Sequence, residues 1–312
     1  MISDFESQKV PAMPLAGLSP DAVRPVLLMC EPKLYAVDYV INPWMQGNVG
    51  ASSQERAMQQ WHQLHHALST IAQVELVEPV TGSPDMVFTA NAGLARDGIV
   101  AVSSFFHPER QAEEQHFHHW FARHGYRVVD VPRETPFEGE GDALFSSDGS
   151  RLWAGYGVRS ALSSHPQLAL LWDVEVTSLR LVDPRFYHLD TCFAPLSDGS
   201  LLYYPAAFDA ESLARIEAFY GPEQRIAVDE EDAVRFACNA INLERTIVLN
   251  QISAELDDRL RLRGFETVQV LLDEFLKAGG AAKCLVMHLT PELHAAHSVD
   301  DGTRILGAVK VA

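Results

Sequence analysis

Cys284 closes the run Lys277-Ala278-Gly279-Gly280-Ala281-Ala282-Lys283-Cys284, just before the apolar stretch Leu285-Val286-Met287. A thiol delivered by a Gly/Ala-rich loop to the head of a strand can be approached closely by a ligand. Far upstream, His188-Leu189-Asp190 sets a base and a carboxylate two residues apart. On a strand, that spacing points both side chains to one face. Cysteine, histidine and acid form a nucleophilic-catalysis set, provided the fold unites them.

The elements that could unite them recur along the chain. Asn91, Asp142, Asp190, Asn239 and Cys284 each precede a strand-like segment, in steps of 51, 48, 49 and 45 residues. After the first four comes a turn and a second apolar segment, and three of those turns are Asp97-Gly98, Asp148-Gly149 and Asp198-Gly199. Asp-Gly between alternating apolar residues is a strong hairpin signal. Helix-like stretches follow at 107–123, 209–220 and 252–263, then final strands such as 126–129 and 267–270. One reading is an ordinary α+β chain whose hairpins recur by chance. The near-constant period favours an internal repeat of five ββαβ-type modules around an axis. Their openings, including Glu138 and His188, would then face one central cavity.

Bulk properties narrow the partners. A chain of 312 residues with 47% hydrophobic and 21% charged residues is a soluble globular protein. Its net charge of −18 repels nucleic acid and anionic membranes but mildly attracts a cationic small substrate. No apolar stretch approaches the roughly 18 residues that span a bilayer. The N-terminus lacks a signal-peptide pattern, which predicts a cytoplasmic location. Cys30, Cys192, Cys238 and Cys284 form no CxxC pair and read as reduced thiols. Residues 1–24 read as a loose leader, 25–290 as one catalytic domain and 291–312 as a tail.

The chain resembles the guanidine-modifying enzymes, a superfamily with the five-fold α/β-propeller (pentein) fold. The resemblance rests on Pro84-Asp85-Met86-Val87-Phe88-Thr89-Ala90-Asn91, Phe137-Glu138-Gly139-Glu140-Gly141-Asp142, Tyr187-His188-Leu189-Asp190-Thr191 and the loop to Cys284. It is most similar to the arginine dihydrolases, which convert arginine to ornithine, carbon dioxide and two ammonia. Asp38-Tyr39-Val40-Ile41-Asn42-Pro43-Trp44-Met45 and His107-Pro108-Glu109-Arg110-Gln111 carry that similarity. In those enzymes the domain is often fused to a longer C-terminal region, whereas this chain has a short tail after residue 290. Deiminases and dimethylarginine hydrolases stop at citrulline; amidinotransferases need a second amine. Another class of reading is a non-catalytic pentein that binds a partner.

The resemblance implies a role for each matching residue. Cys284 attacks the guanidinium carbon, with the bound cation favouring its thiolate. His188 protonates the leaving ammonia and activates water. Glu138 and Asp190 grip the planar guanidinium. Asp142 either joins them or orients loop amides. Arg110 and Arg159 hold the substrate's α-carboxylate, and Asn42 is expected to contact substrate. Asn91 departs from deiminases and methylarginine hydrolases, which carry Asp there. Losing that charge weakens guanidinium binding by about 1 kcal/mol. Unlike an ionised Asp, Asn91 can donate to a carbonyl, so a neutral ureido intermediate could be retained for a second hydrolysis.

Lys283 is expected to point away from Cys284 on a strand and to play a structural part. His62 with His66, and the His116/His118/His119 cluster, read as exposed helix faces. The Gly139-Glu140-Gly141 segment lacks the strand–GxGxxG–helix context of a dinucleotide site. The expected partner is therefore a small molecule, L-arginine or a methylated arginine, with no metal, no cofactor and no nucleic acid or membrane; a homo-oligomer is compatible.

Overall fold

A computed structural model describes residues 24–289. The expected tail, and all of the expected leader except Arg24, lie outside the described residues. Among the described residues, fifteen short strands form five three-stranded sheets. The described chain enters through β1 (Val26–Cys30), α1 (Gln54–Ser69) and β2 (Gln73–Val77), which begin one module that the last described strand completes. Next come β3 (Gly93–Arg96), β4 (Ile99–Val102), α2 (Glu113–Arg123) and β5 (Arg127–Asp130). The third unit is β6 (Ala143–Phe145), β7 (Arg151–Tyr156), α3 (His165–Trp172) and β8 (Glu175–Arg180). The fourth is β9 (Phe193–Pro195), β10 (Leu201–Tyr203), α4 (Ala210–Phe219) and β11 (Arg225–Ala227), with α5 (Glu230–Val234) as a connector. The fifth is β12 (Ile241–Leu243), β13 (Thr246–Leu249), α6 (Ala254–Leu262) and β14 (Glu266–Gln269); α7 (Asp273–Leu276) and β15 (Met287–Leu289) follow.

Each unit repeats one wiring. A hairpin pairs antiparallel, a helix crosses over, and the last strand returns parallel to the second, as in β3–β4 and β4–β5. The split module has the same form: β15 lies antiparallel to β1, and β1 parallel to β2. The expected ββαβ repeat is therefore present, in the pentein arrangement. The Asp97-Gly98 turn has φ of 53° and 72°, the two positive values that a type I′ hairpin needs. Helix α1 is capped by Ser53, whose Oγ accepts from Arg56 N, and buries Ala57, Trp61, Leu64 and Leu68 along one stripe. No helix among the described residues is long and apolar enough to cross a membrane.

Two sequence expectations need correcting. The helix expected from residue 107 begins at Glu113, because Pro108–Arg110 forms a separate 3-10 turn that aims Arg110 inward. Cys284 lies in a turn three residues before β15, not at a strand head. The strand argument for Lys283 therefore falls, although its structural part stands: buried Lys283 Nζ pairs with Glu140 Oε2 at 2.7 Å and donates to Val286 O at 3.0 Å.

At the axis the module openings bond to one another in a closed ring. Asn91 Nδ2 donates to Glu138 O at 3.1 Å, and Leu189 N to Asp142 Oδ1 at 3.1 Å. Asn239 Nδ2 donates to Asp190 O at 3.1 Å, Cys284 N to Asn239 Oδ1 at 3.0 Å, and Ala90 N to Cys284 O at 3.1 Å. Asn239→Ala would leave a buried N–H and a buried carbonyl unpaired, a loss of roughly 2–4 kcal/mol. Urea unfolding should record that loss, and a change below about 0.5 kcal/mol, the size of an ordinary surface substitution, would mean the ring does not hold the modules together.

Candidate functional site

The ring delivers two clusters to the axis. In the first, Cys284 Sγ lies 3.5 Å from Asp190 Oδ2 and 3.8 Å from Oδ1, and Asn239 Nδ2 donates to the same sulfur at 3.1 Å. In the second, His188 Nε2 meets Glu138 Oε2 at 2.7 Å, and Arg159 Nη1 reaches that oxygen at 3.1 Å. Phe106 N donates to Glu138 Oε1 at 3.1 Å, so both oxygens of this carboxylate are already engaged. Between the clusters is a cavity of about 10 Å³, lined by Asn42, Asp85, Asn91, Arg110, Arg159, Tyr187 and Cys284 among others. That is room for about one water. A loop closes over it through four bonds: Tyr39 Oη to Asp85 Oδ2, Asn42 Nδ2 to Ala278 O, Trp44 Nε1 to Arg185 O, and Arg159 Nη2 to Ile41 O.

Electrostatics separates the clusters. Burial, followed by the neighbouring Asp190, pushes the Cys284 thiol well above its ordinary range. Burial also raises the Asp190 carboxyl to about 7, against the pull of Lys283. The pair therefore shares a negative charge poorly and would gain from a cation between or beside its members. Burial alone would raise Glu138 as well, yet Arg159 and His188 hold it well below the usual carboxylate range. Glu140 is held at about 2, with Lys283 and His288 outweighing burial.

The expected site residues converge, but not all as anticipated. Cys284, Asn91, Arg110, Arg159 and Asn42 line the cavity, whereas Asp190 and Glu138 stand behind it as partners of Cys284 and Arg159, and His188 as a partner of Glu138. Asp142 does not face it; its oxygens accept from Leu189 N at 3.1 Å and Ser160 Oγ at 2.6 Å. Substrate contact by Asp142 is accordingly corrected to its alternative, the ordering of loop amides. Arg159 is a buried partner of Glu138, not a free anion hook. Asn42 caps its own turn, with Oδ1 accepting from Trp44 N and Met45 N.

Two residues lacked a role in the sequence. Asp85 is 2% exposed and its Oδ1 has no partner among the described residues. An acidic residue inside an apolar Pro-Asp-Met-Val-Phe run was the available signal. Asn239 appeared as a module opening, but its bond to the sulfur depends on a contact across 45 residues of chain. The histidines at 62, 66, 116 and 119 lie on exposed faces of α1 and α2.

Comparison with known proteins places this arrangement. The eukaryotic N,N dimethylarginine dimethylhydrolase family model matches residues 24–290. The chain belongs to this family. It is 55% identical over 278 residues to the bifunctional arginine dihydrolase/ornithine cyclodeaminase ArgZ of Synechocystis, a match covering 88% of this chain and 39% of that protein. The chain thus spans about two fifths of the length of this cyanobacterial relative. The N(G),N(G)-dimethylarginine dimethylaminohydrolase of Mycobacterium tuberculosis is 39% identical over 264 residues, covering 84% of this chain and 85% of that one. Among solved structures, the product-bound N-terminal domain of ArgZ superposes with a TM-score of 0.85 at 56% identity, covering 86% of this chain and 98% of that domain. A dimethylarginine dimethylaminohydrolase at 18% identity and a TM-score of 0.72 shares the pentein fold.

The raised Asp190 carboxyl has a measurable sign. Its folded pKa of about 7 exceeds the ordinary value of 3.8, so between these limits the folded state holds a proton the unfolded state has lost. Wild-type stability from this group is present at low pH and declines as pH rises toward about 7. Asp190→Asn lacks that decline. The melting temperature of the variant relative to wild type should climb between about pH 4 and pH 8, and a gap that stays flat would remove the assigned shift.

Proposed function

We propose that this protein hydrolyses L-arginine at the guanidinium carbon through Cys284, as an arginine dihydrolase giving ornithine, carbon dioxide and two ammonia. The observation that carries the reading is a buried thiol that lines the pocket and lies 3.5 Å from the buried Asp190 carboxylate behind it, while a second carboxylate, Asp85, lines the same pocket with an oxygen that has no partner among the described residues. Such a pocket fits a ligand with a cation at each end, and arginine has a guanidinium and an α-ammonium. Similarity to ArgZ and to the mycobacterial enzyme supports the same class of substrate.

In this reading the guanidinium enters beside Asp190, and its charge draws the proton from the Cys284 thiol. It also competes with Arg159 for Glu138. Arg159, whose Nε lacks a partner among the described residues, is then released toward the α-carboxylate, which Arg110 shares. Asp85 takes the α-ammonium. The sulfur adds to the guanidinium carbon, the carbon–nitrogen bond breaks, and His188 passes a proton to the departing ammonia. Water deprotonated by His188 then attacks the same carbon, and the carbon–sulfur bond breaks to return the Cys284 thiolate. Asn42 and its loop must lift for entry, because about 10 Å³ does not admit arginine. We place the enzyme in the cytoplasm, with a site compatible with a homo-oligomer.

Incubation with L-arginine tests this directly. Two ammonia per ornithine is the expected stoichiometry. One ammonia per citrulline would replace the reading by a deiminase, and turnover of dimethylarginine alone would replace it by a methylarginine hydrolase. Asn91→Asp removes the donor expected to retain the ureido group, so citrulline should accumulate. Ornithine formed by that variant without citrulline would sink the role given to Asn91.

A further inference from the structure

The segment Phe105–Glu113 contains a buried ion pair whose geometry reaches beyond substrate binding. Glu113, 0% exposed, accepts from Arg110 Nε at 2.9 Å and Nη2 at 2.8 Å. Arg110 Nη2 also donates to Asp85 O at 3.1 Å, and the guanidinium lies 4.4 Å over the Phe105 ring. Held on these sides, Arg110 directs Nη1 at Asn91 Oδ1, 2.8 Å away.

A guanidinium has donors only, so the Asn91 atom facing it must be the carbonyl oxygen. The orientation of the amide is thereby dictated by its neighbour. Nδ2 is turned to Glu138 O at 3.1 Å, which uses one of its two N–H groups; among the described residues no acceptor takes the other. Asn91 lines the same cavity as Cys284. Gly141 closes the opposite side, since a Cβ there would lie 2.2 Å from Nδ2. A flipped amide would set Nδ2 against Arg110, donor against donor, and its oxygen against Glu138 O.

We propose that Glu113 is a positioning residue that acts through Arg110 to keep the donor end of Asn91 in the cavity, and so sets the partition between citrulline release and a second hydrolysis. The inference rests on the dihydrolase reading above. In the first cycle arginine and one water become a ureido group and ammonia. In the second, another water is consumed and the ureido carbon leaves as carbon dioxide with a second ammonia, freeing ornithine. The free Asn91 N–H donates to the neutral ureido oxygen between these cycles. With the amide turned, its carbonyl would face that oxygen and repel it, and citrulline would leave.

The test measures citrulline and ornithine from L-arginine for wild type, Glu113→Gln and Glu113→Asp, with folding of each checked by circular dichroism. Glu113→Gln should raise the citrulline-to-ornithine ratio about tenfold, the factor that one neutral hydrogen bond contributes. Glu113→Asp, which keeps the charge but withdraws it by one methylene, should give a smaller rise and supplies the answer if the Gln variant does not fold. In an Asn91→Ala background, Glu113→Asp should leave the ratio unchanged, because the residue through which Glu113 acts is gone. A raised KM with an unaltered ratio in the folded single variants overturns the proposal. Wild-type protein that yields no ornithine overturns the dihydrolase reading instead.

Discussion

The architecture depends on the ring of hydrogen bonds that closes the five modules around their axis. Each sheet has three strands of three to six residues, and a single repeat unit of this kind cannot bury its apolar face alone. The modules must therefore lean on one another, through apolar packing outside and through polar side chains at the crowded centre. Asn91, Asp142 and Asn239 complete the backbone bonding of a neighbouring module. Buried amides and carboxylates are costly unless satisfied. Here satisfaction is mutual, which fixes the order and spacing of the openings.

That ring also makes the site electrostatically unfinished. The sulfur and the Asp190 carboxyl are pressed together by the same contacts that close the fold, with Asn239 bridging ring and sulfur. Burial raises both acids. On the other side Glu138 is already paired with the Arg159 guanidinium and hydrogen-bonded to His188. A cation arriving at Asp190 lowers the cost of ionising Cys284, while the same cation at Glu138 must displace an arginine. Binding and thiol activation are therefore one event on the first cluster and an exchange on the second.

Much of this was legible in the sequence because it obeys a period. Asp-Gly turns and polar openings marked the hairpins, and the recurrence of those openings located Asn91, Asp190, Asn239 and Cys284 at one centre. What escaped depends on contacts that no period encodes. Asp85 and Glu113 matter because of which groups face them after closure. Helix α2 was expected too early: Pro108–Arg110 turns separately and sends Arg110 inward before the helix begins at Glu113. Asp142 shares its spacing with Asp190, yet one carboxylate faces a thiol and the other faces Leu189 N and Ser160 Oγ. Spacing located the residues; only the direction of each side chain separated scaffold from site.

Asn91 shows why direction matters at this axis. Its Nδ2 donates across the ring to Glu138 O, and its Oδ1 accepts from Arg110. An ionised Asp at this position could keep the second contact, and strengthen it, but could not make the first. In this chain the neutral amide thus satisfies a structural bond between two modules and keeps a second N–H that has no acceptor among the described residues. The carboxylate alternative would tighten the hold on Arg110 and on a guanidinium, at the expense of the ring and of any neutral carbonyl ligand. A single amide therefore couples the closure of the fold to the charge of the intermediate that the pocket can retain.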